Sequence, residues 1–230
     1  MSYITREMTT NALSSMASFH RHMNNSFSKF GMNFKSNLGR RNVVMSQTQE
    51  HFFAKELEKV YASVESDGRT GKADIVIPEL GKELECKLTS GNRGKSVTYS
   101  FQTDWETLRN KGNLDYLYVL CDEDFEKFCV LYFENLTPED FYPPSNGSRG
   151  KSRMKKHSAM KKCTVLMGDV ETQNSIQIEK ISREIKSYDL SGCKKSKDTK
   201  KYKSLIDRLE YWRTSPERYT IKLAECDERA

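Results

Sequence analysis

Apolar residues recur at spacings of three and four through Phe53, Leu57, Val60 and Val64, directly after Ser46-Gln47-Thr48-Gln49, a capping-box pattern. This predicts a helix over 47–63. At 100° per residue Glu50 lies about 20° from Leu57 on the helical wheel, so its carboxylate runs along the apolar stripe, whereas Glu56 points outward. The pattern then changes to short runs with strand character at 73–77 and 82–88, separated by Pro78-Glu79-Leu80-Gly81, a turn sequence. Residues 100–110 read as a helix, 115–121 and 128–133 as two strands, and Thr137-Pro138-Glu139-Asp140 as a capped helical turn. The predicted order is helix, hairpin, helix, strand, strand. Further on, 164–167 reads as a strand, 176–188 as either helix or strand, and 204–212 as a helix.

The hairpin carries the chemistry. If it turns at Glu79-Leu80, Ile77 faces Lys82, Ile75 faces Leu84 and Asp74 faces Glu85. Opposed residues share a face and alternate residues exchange it, so Ile75, Ile77, Leu84, Cys86 and Leu88 form an apolar face while Asp74, Glu85 and Lys87 share the other. Two adjacent carboxylates repel unless a cation lies between them, and oxygen donors of this kind suit Mg²⁺, with Mn²⁺ as substitute. A phosphodiester is the natural substrate for such a group, with Lys87 stabilising developing charge and Glu50 completing the metal shell.

These residues, Asp74 followed by Glu85-Cys86-Lys87 after a helix bearing Glu50, resemble the PD-(D/E)XK nuclease superfamily over roughly 46–133. Lys72-Ala73 stand before Asp74 where the family label has Pro. The resemblance implies an α/β fold, a restriction-endonuclease-like mixed β-sheet flanked by helices. It also implies metal-dependent cleavage of DNA to 5′-phosphate and 3′-hydroxyl ends, with the metal held by Asp74, Glu85, the Cys86 carbonyl and Glu50. About 100 residues lie beyond the core and are available for reading bases. This favours a type II restriction endonuclease acting on double-stranded DNA as a homodimer; a homing, repair or junction-resolving nuclease, or a non-catalytic binder of the same fold, remains open.

Composition adds a polyanionic partner. The chain has 230 residues, 24 of them aromatic, 30% charged and a net charge of +6. Seven Lys or Arg residues and no acid fall between Arg149 and Lys162, and six Lys between Lys194 and Lys203. Candidate DNA contacts are Arg40, Arg41, Gln102, Arg149, Lys151, Arg153, Lys155 and Lys156, with Arg93 and Lys95 either phosphate contacts or solvated loop charges. Glycines at 91, 94 and 150 lack the spacing of a phosphate-binding loop, so no nucleotide cofactor is expected. Six cysteines without close pairing read as reduced thiols, and no run reaches the roughly 18 apolar residues of a membrane span, which points to the cytoplasm. The expected organisation is an N-terminal helical arm (1–45), a catalytic core (46–142), a turn-rich boundary at 143–148 and a basic C-terminal region (149–230) that completes the fold and contacts DNA.

Overall fold

The computed structural model describes residues 2–67, 69, 71–91, 101–190, 196–215 and 218–226. Its helices are α1 (Arg6–Lys29), α2 (Leu38–Glu58), α3 (Trp105–Lys111), α4 (Lys156–Ala159), α5 (Gln173–Leu190) and α6 (Ser196–Thr214). Its strands are β1 (Ile75–Ile77), β2 (Lys82–Ser90), β3 (Gln102–Asp104), β4 (Leu114–Cys121), β5 (Lys127–Leu136), β6 (Lys151–Arg153), β7 (Cys163–Met167), β8 (Asp169–Thr172), β9 (Tyr219–Lys222) and β10 (Ala224–Glu225). The chain divides into two units, 1–169 with 223–230, and 170–222.

The larger unit is an α/β fold around a six-stranded mixed sheet in the order β1-β2-β4-β5, with β10 and β7 both pairing with β5. β1 and β2 are antiparallel in the register the turn predicts, Ile75 opposite Leu84 and Ile77 opposite Lys82. β2 and β4 are parallel, placing Glu85 beside Tyr116 and Lys87 beside Tyr118. β4 is buried along its whole length, as a central strand covered on both faces must be. One face packs Ile75, Ile77, Leu84, Cys86, Leu117 and Val119 against α1 and α2. On the other, Tyr116, Tyr118 and Phe133 meet the rings of Phe101 and Phe141.

The first 45 residues are not a loose arm. Met8, Leu13 and Met16 of α1, and Met45 of α2, are buried in the same core as the sheet. The helix bearing Glu50 starts at Leu38, capped by Asn37, whose Oδ1 accepts the Arg40 N–H at 3.0 Å. The capping-box residues at 46–49 therefore lie within it. The Thr48 hydroxyl donates back to the Val44 carbonyl at 2.8 Å, the alternative open to a threonine inside a helix. Glu56, expected outward, is turned in against α1. It accepts from Asn11 Nδ2 at 3.1 Å and pairs with Lys59 at 2.6 Å, because α1 covers a flank that a lone helix would leave to solvent.

Arg41, expected on DNA, is 0% exposed. Its Nη1 donates to the Glu123 carbonyl and its Nη2 to Ser90 Oγ, each at 2.7 Å, and its guanidinium lies 5.2 Å from the Phe125 ring centre. It ties the first turn of α2 to the end of β2 and to the β4–β5 turn. Asp115 serves similarly on β4, accepting from the Tyr132 hydroxyl at 2.9 Å and the Asn135 N–H at 2.7 Å.

Residues 143–148 do not divide the chain. β6 pairs antiparallel with β3, Gln102 opposite Arg153 and Asp104 opposite Lys151, and β7 joins the main sheet, so both sides of that turn belong to the larger unit. The second unit pairs β8 with β9 and packs α5 on α6 through Ile181, Leu205 and Leu209. Asn174 Nδ2 donates to the Trp212 and Ser215 carbonyls at the end of α6.

Leu13→Ala is expected to cost about 2–5 kcal/mol in urea unfolding, the range for truncating a fully buried leucine. A cost below about 1 kcal/mol would return α1 to the status of a peripheral arm.

Candidate active site

β1 is short, and its pairing with β2 begins at Ile75 opposite Leu84. Beyond that point the β2 edge needs another acceptor, and Asp74 supplies it: its Oδ2 accepts the Cys86 N–H at 2.7 Å. The same bond places the carboxylate next to Glu85. Two positions along β2, on the same face, Lys87 Nζ lies 2.5 Å from Glu85 Oε1. The Glu85 side chain is 12% exposed and that of Lys87 32%, so the pair is accessible and partly desolvated.

The charges report one cluster. Burial, joined by the charge of Glu85, pushes the Asp74 carboxyl up to about 6, against the opposing pull of Lys87 and the Cys86 N–H. Burial, joined by Asp74 and then Glu85, raises Glu50 to about 7, with Lys87 acting the other way. Thus α2 brings Glu50 into electrostatic reach of all three hairpin residues. Burial alone would lower the Lys87 ammonium, but Glu85 and Asp74 more than offset this and raise it, so it stays charged. The Cys86 thiol is driven well up by burial, which leaves its sulfur neutral and only its backbone carbonyl as a donor.

The donor chemistry is oxygen only and acidic, the kind suited to Mg²⁺ or Mn²⁺. Among the described residues no three His, Cys, Asp or Glu side chains form a group that would hold a metal ion. Glu83, also on β2, is paired with Lys111.

Beside Lys87 lies a cavity of about 260 Å³ lined also by Thr89, Gln102, Asp104, Tyr118 and Lys151. Gln102 was expected on a helix but lies on β3, where its carbonyl accepts from the Tyr118 hydroxyl at 2.9 Å. The residues after it form a strand first because they pair with β6, a partner more than 45 residues away. A larger groove of about 610 Å³ continues from Gln102 and Lys151 to Arg153 and Tyr142. Asp104 went unnoticed in the sequence. It caps α3, and the Thr107 N–H bond holds its carboxyl below the usual range, with Lys87 a further contributing charge. Asp-x-x-Thr before a short amphipathic stretch was the signal available.

Of the other candidates, Arg40, Arg149, Lys151 and Arg153 are exposed. Lys155 donates to the Glu139 carbonyl at 3.0 Å. Lys156 lies over the ring of Phe101, and burial lowers its proton affinity, which commits it to the fold more than to a phosphate. Arg93 and Lys95 lie outside the described residues. Comparisons with protein-family models, curated proteins and solved structures found no match for this chain.

Glu50 and Asp74 bind protons more tightly folded than unfolded, since their carboxyls are raised from ordinary values of 4.5 and 3.8. Between about pH 4 and about 7 the unfolded chain ionises first, so their contribution to stability falls as pH rises and levels off above about 7. Glu50→Gln should flatten this decline and leave the variant more stable than the parent at pH 8, measured by urea unfolding at pH 5 and 8. A steeper decline in the variant would mean that Glu50 is not held among like charges.

Proposed function

We propose that this chain is a divalent-metal-dependent endonuclease of the PD-(D/E)XK type acting on DNA, with type II site-specific cleavage as its form. The observation that carries the reading is the convergence of Asp74, Glu85 and Lys87 on one end of the β1–β2 hairpin with Glu50 from α2. Asp74 and Glu50 are held there toward their protonated forms by burial and mutual repulsion.

Asp74, Glu85 and the Cys86 carbonyl would hold Mg²⁺, and Glu50, expected in the metal shell, would act on it through its charge from α2. When bound, the ion would neutralise phosphate charge and acidify a bound water. The chain's own groups divide the remaining work. Asp74 is fixed by the Cys86 N–H, which leaves its second oxygen unclaimed by that bond and the carboxylate unable to turn away. Glu85 holds Lys87 at 2.5 Å and keeps the ammonium charged, so that it offers a cation and a proton donor to charge developing on a phosphate. The exposed cations of β6, Lys151 and Arg153, project to one side of the ribbon while Ser152 is buried between them, a spacing suited to adjacent phosphates. Cutting both strands of a palindrome would require a symmetric pair of chains, each presenting one site to one strand. Residues 1–45 are part of the core, so base reading would fall to segments after 142.

The deciding experiment is digestion of a mixed-sequence duplex library with Mg²⁺, followed by sequencing of the ends. Asp74→Ala and Glu85→Ala are expected to remove cleavage, and Lys87→Ala to slow single-turnover cleavage at least about a hundredfold with little change in DNA affinity. Cleavage at parental rate by either carboxylate variant would refute the assignment. Loss appearing only as weaker binding in the Lys87 variant would make that residue a phosphate contact instead.

Electrostatics provides a separate check. Each cation that neutralises a phosphate contributes about 0.9 to the slope of log affinity against log salt. The double variant Lys151→Gln, Arg153→Gln is therefore expected to lower that slope by up to about two units in titrations between 50 and 200 mM salt. An unchanged slope would move the DNA path off β6.

A further inference from the structure

We infer that the groove beside Lys87 takes a DNA strand with an unpaired nucleotide, whose base stacks on Tyr142. This rests on the reading of the site as a DNA nuclease and adds that the strand entering it is locally unpaired, by flipping of a nucleotide where the substrate is a duplex. The groove, about 610 Å³, joins the cavity that contains Lys87 through two shared residues, Gln102 and Lys151. It therefore leads away from the reacting end of the hairpin. Its β6 wall carries Lys151 and Arg153, both exposed, and neither forms a salt bridge with an acidic side chain among the described residues. These cations suit a phosphate backbone.

Tyr142 supplies what a backbone alone does not need. It follows the buried Phe141, its N–H donates to the Arg153 carbonyl at 2.8 Å, and the residue is 58% exposed. Lys155 Nζ lies over one face of the ring, 5.7 Å from its centre, while also donating to the Glu139 carbonyl, so a base would stack on the opposite face. An exposed aromatic ring in a polar, cationic groove is a stacking surface for a base. In an intact duplex each base is already stacked between its neighbours and offers no face to such a ring. The nucleotide placed there must be unpaired, whether in a single strand, at a frayed end or flipped from the helix. Gln102, at the junction of groove and cavity, offers an amide to the sugar or base of the next nucleotide.

The test is binding by fluorescence anisotropy in EDTA, so that no cleavage intervenes. The probes are a labelled 20-nucleotide single strand, its blunt duplex, and the same duplex with a three-nucleotide single-stranded extension. The intact protein is expected to bind the single strand and the extended duplex more tightly than the blunt duplex. Tyr142→Ala should weaken binding of those two about tenfold, leave the blunt duplex unchanged, and be rescued by Tyr142→Phe. Because the ring is exposed and its backbone bond does not depend on the side chain, circular dichroism and thermal melting of the variant should match the parent. Equal losses on all three probes, or no loss on any, would overturn the inference. Cleavage in Mg²⁺ by a protein that shows no Tyr142 effect would leave the nuclease assignment standing without it, while a Tyr142 effect without cleavage of any DNA would do the reverse.

Discussion

The site depends on a shortage of hydrogen-bond partners at one edge of one strand. β2 has a complete neighbour in β4 but only a three-residue neighbour in β1, so its edge runs out of backbone acceptors beyond Leu84. A carboxylate takes over, and Asp74 holds the Cys86 N–H. That substitution fixes Asp74 beside Glu85, and the two-residue repeat of the strand then sets Lys87 on the same face. The helix packed against the opposite face brings Glu50 close enough to complete the acidic group. Burial, joined by repulsion among these groups that a single ammonium only partly offsets, is why two of the carboxyls retain their protons to higher pH than usual.

Much of this was legible in the sequence, because it rests on local rules. The turn at 78–81 sets the hairpin register, alternation sets the faces, and an apolar stripe sets the direction of Glu50. β4 and β5 were equally readable, as two strand-like runs joined across Asp122-Glu123-Asp124. What stayed hidden required distant partners. Nothing near Gln102 says that it pairs with Arg153 and so belongs to a strand. Nothing near Glu56 announces α1 lying across it. Arg41 looks like any other cation of a polar stretch until its fold neighbours, Ser90 at the end of β2 and Glu123 and Phe125 in the β4–β5 turn, come from two later parts of the chain.

The misreading of residues 1–45 has the same origin. Their apolar residues are diluted by Ser, Asn and Thr, a composition that suggests an arm. Yet Ala12, Leu13, Met16 and Ala17 gather on one side of α1, and small residues there let the helix lie close to its neighbour. The number of residues left outside the core is correspondingly smaller. The basic run after Arg149 also divides once folded: Lys151 and Arg153 face solvent, whereas Lys156 and Lys162 are spent on Phe101 and Asp140. Charge counts along a sequence cannot separate those two fates.

The second unit enters and leaves the larger one through β8 and β9, which pair with each other; Gln173 N–H also reaches the Arg218 carbonyl at 2.7 Å. Its two ends are therefore about one strand spacing apart, and β10 resumes the main sheet directly afterwards. An excursion of 53 residues that closes on itself in this way imposes almost no distance constraint on the sheet it interrupts. The main sheet can thus keep its architecture while the excursion lengthens, shortens or is exchanged for another, so the two units are free to change at separate rates over evolutionary time.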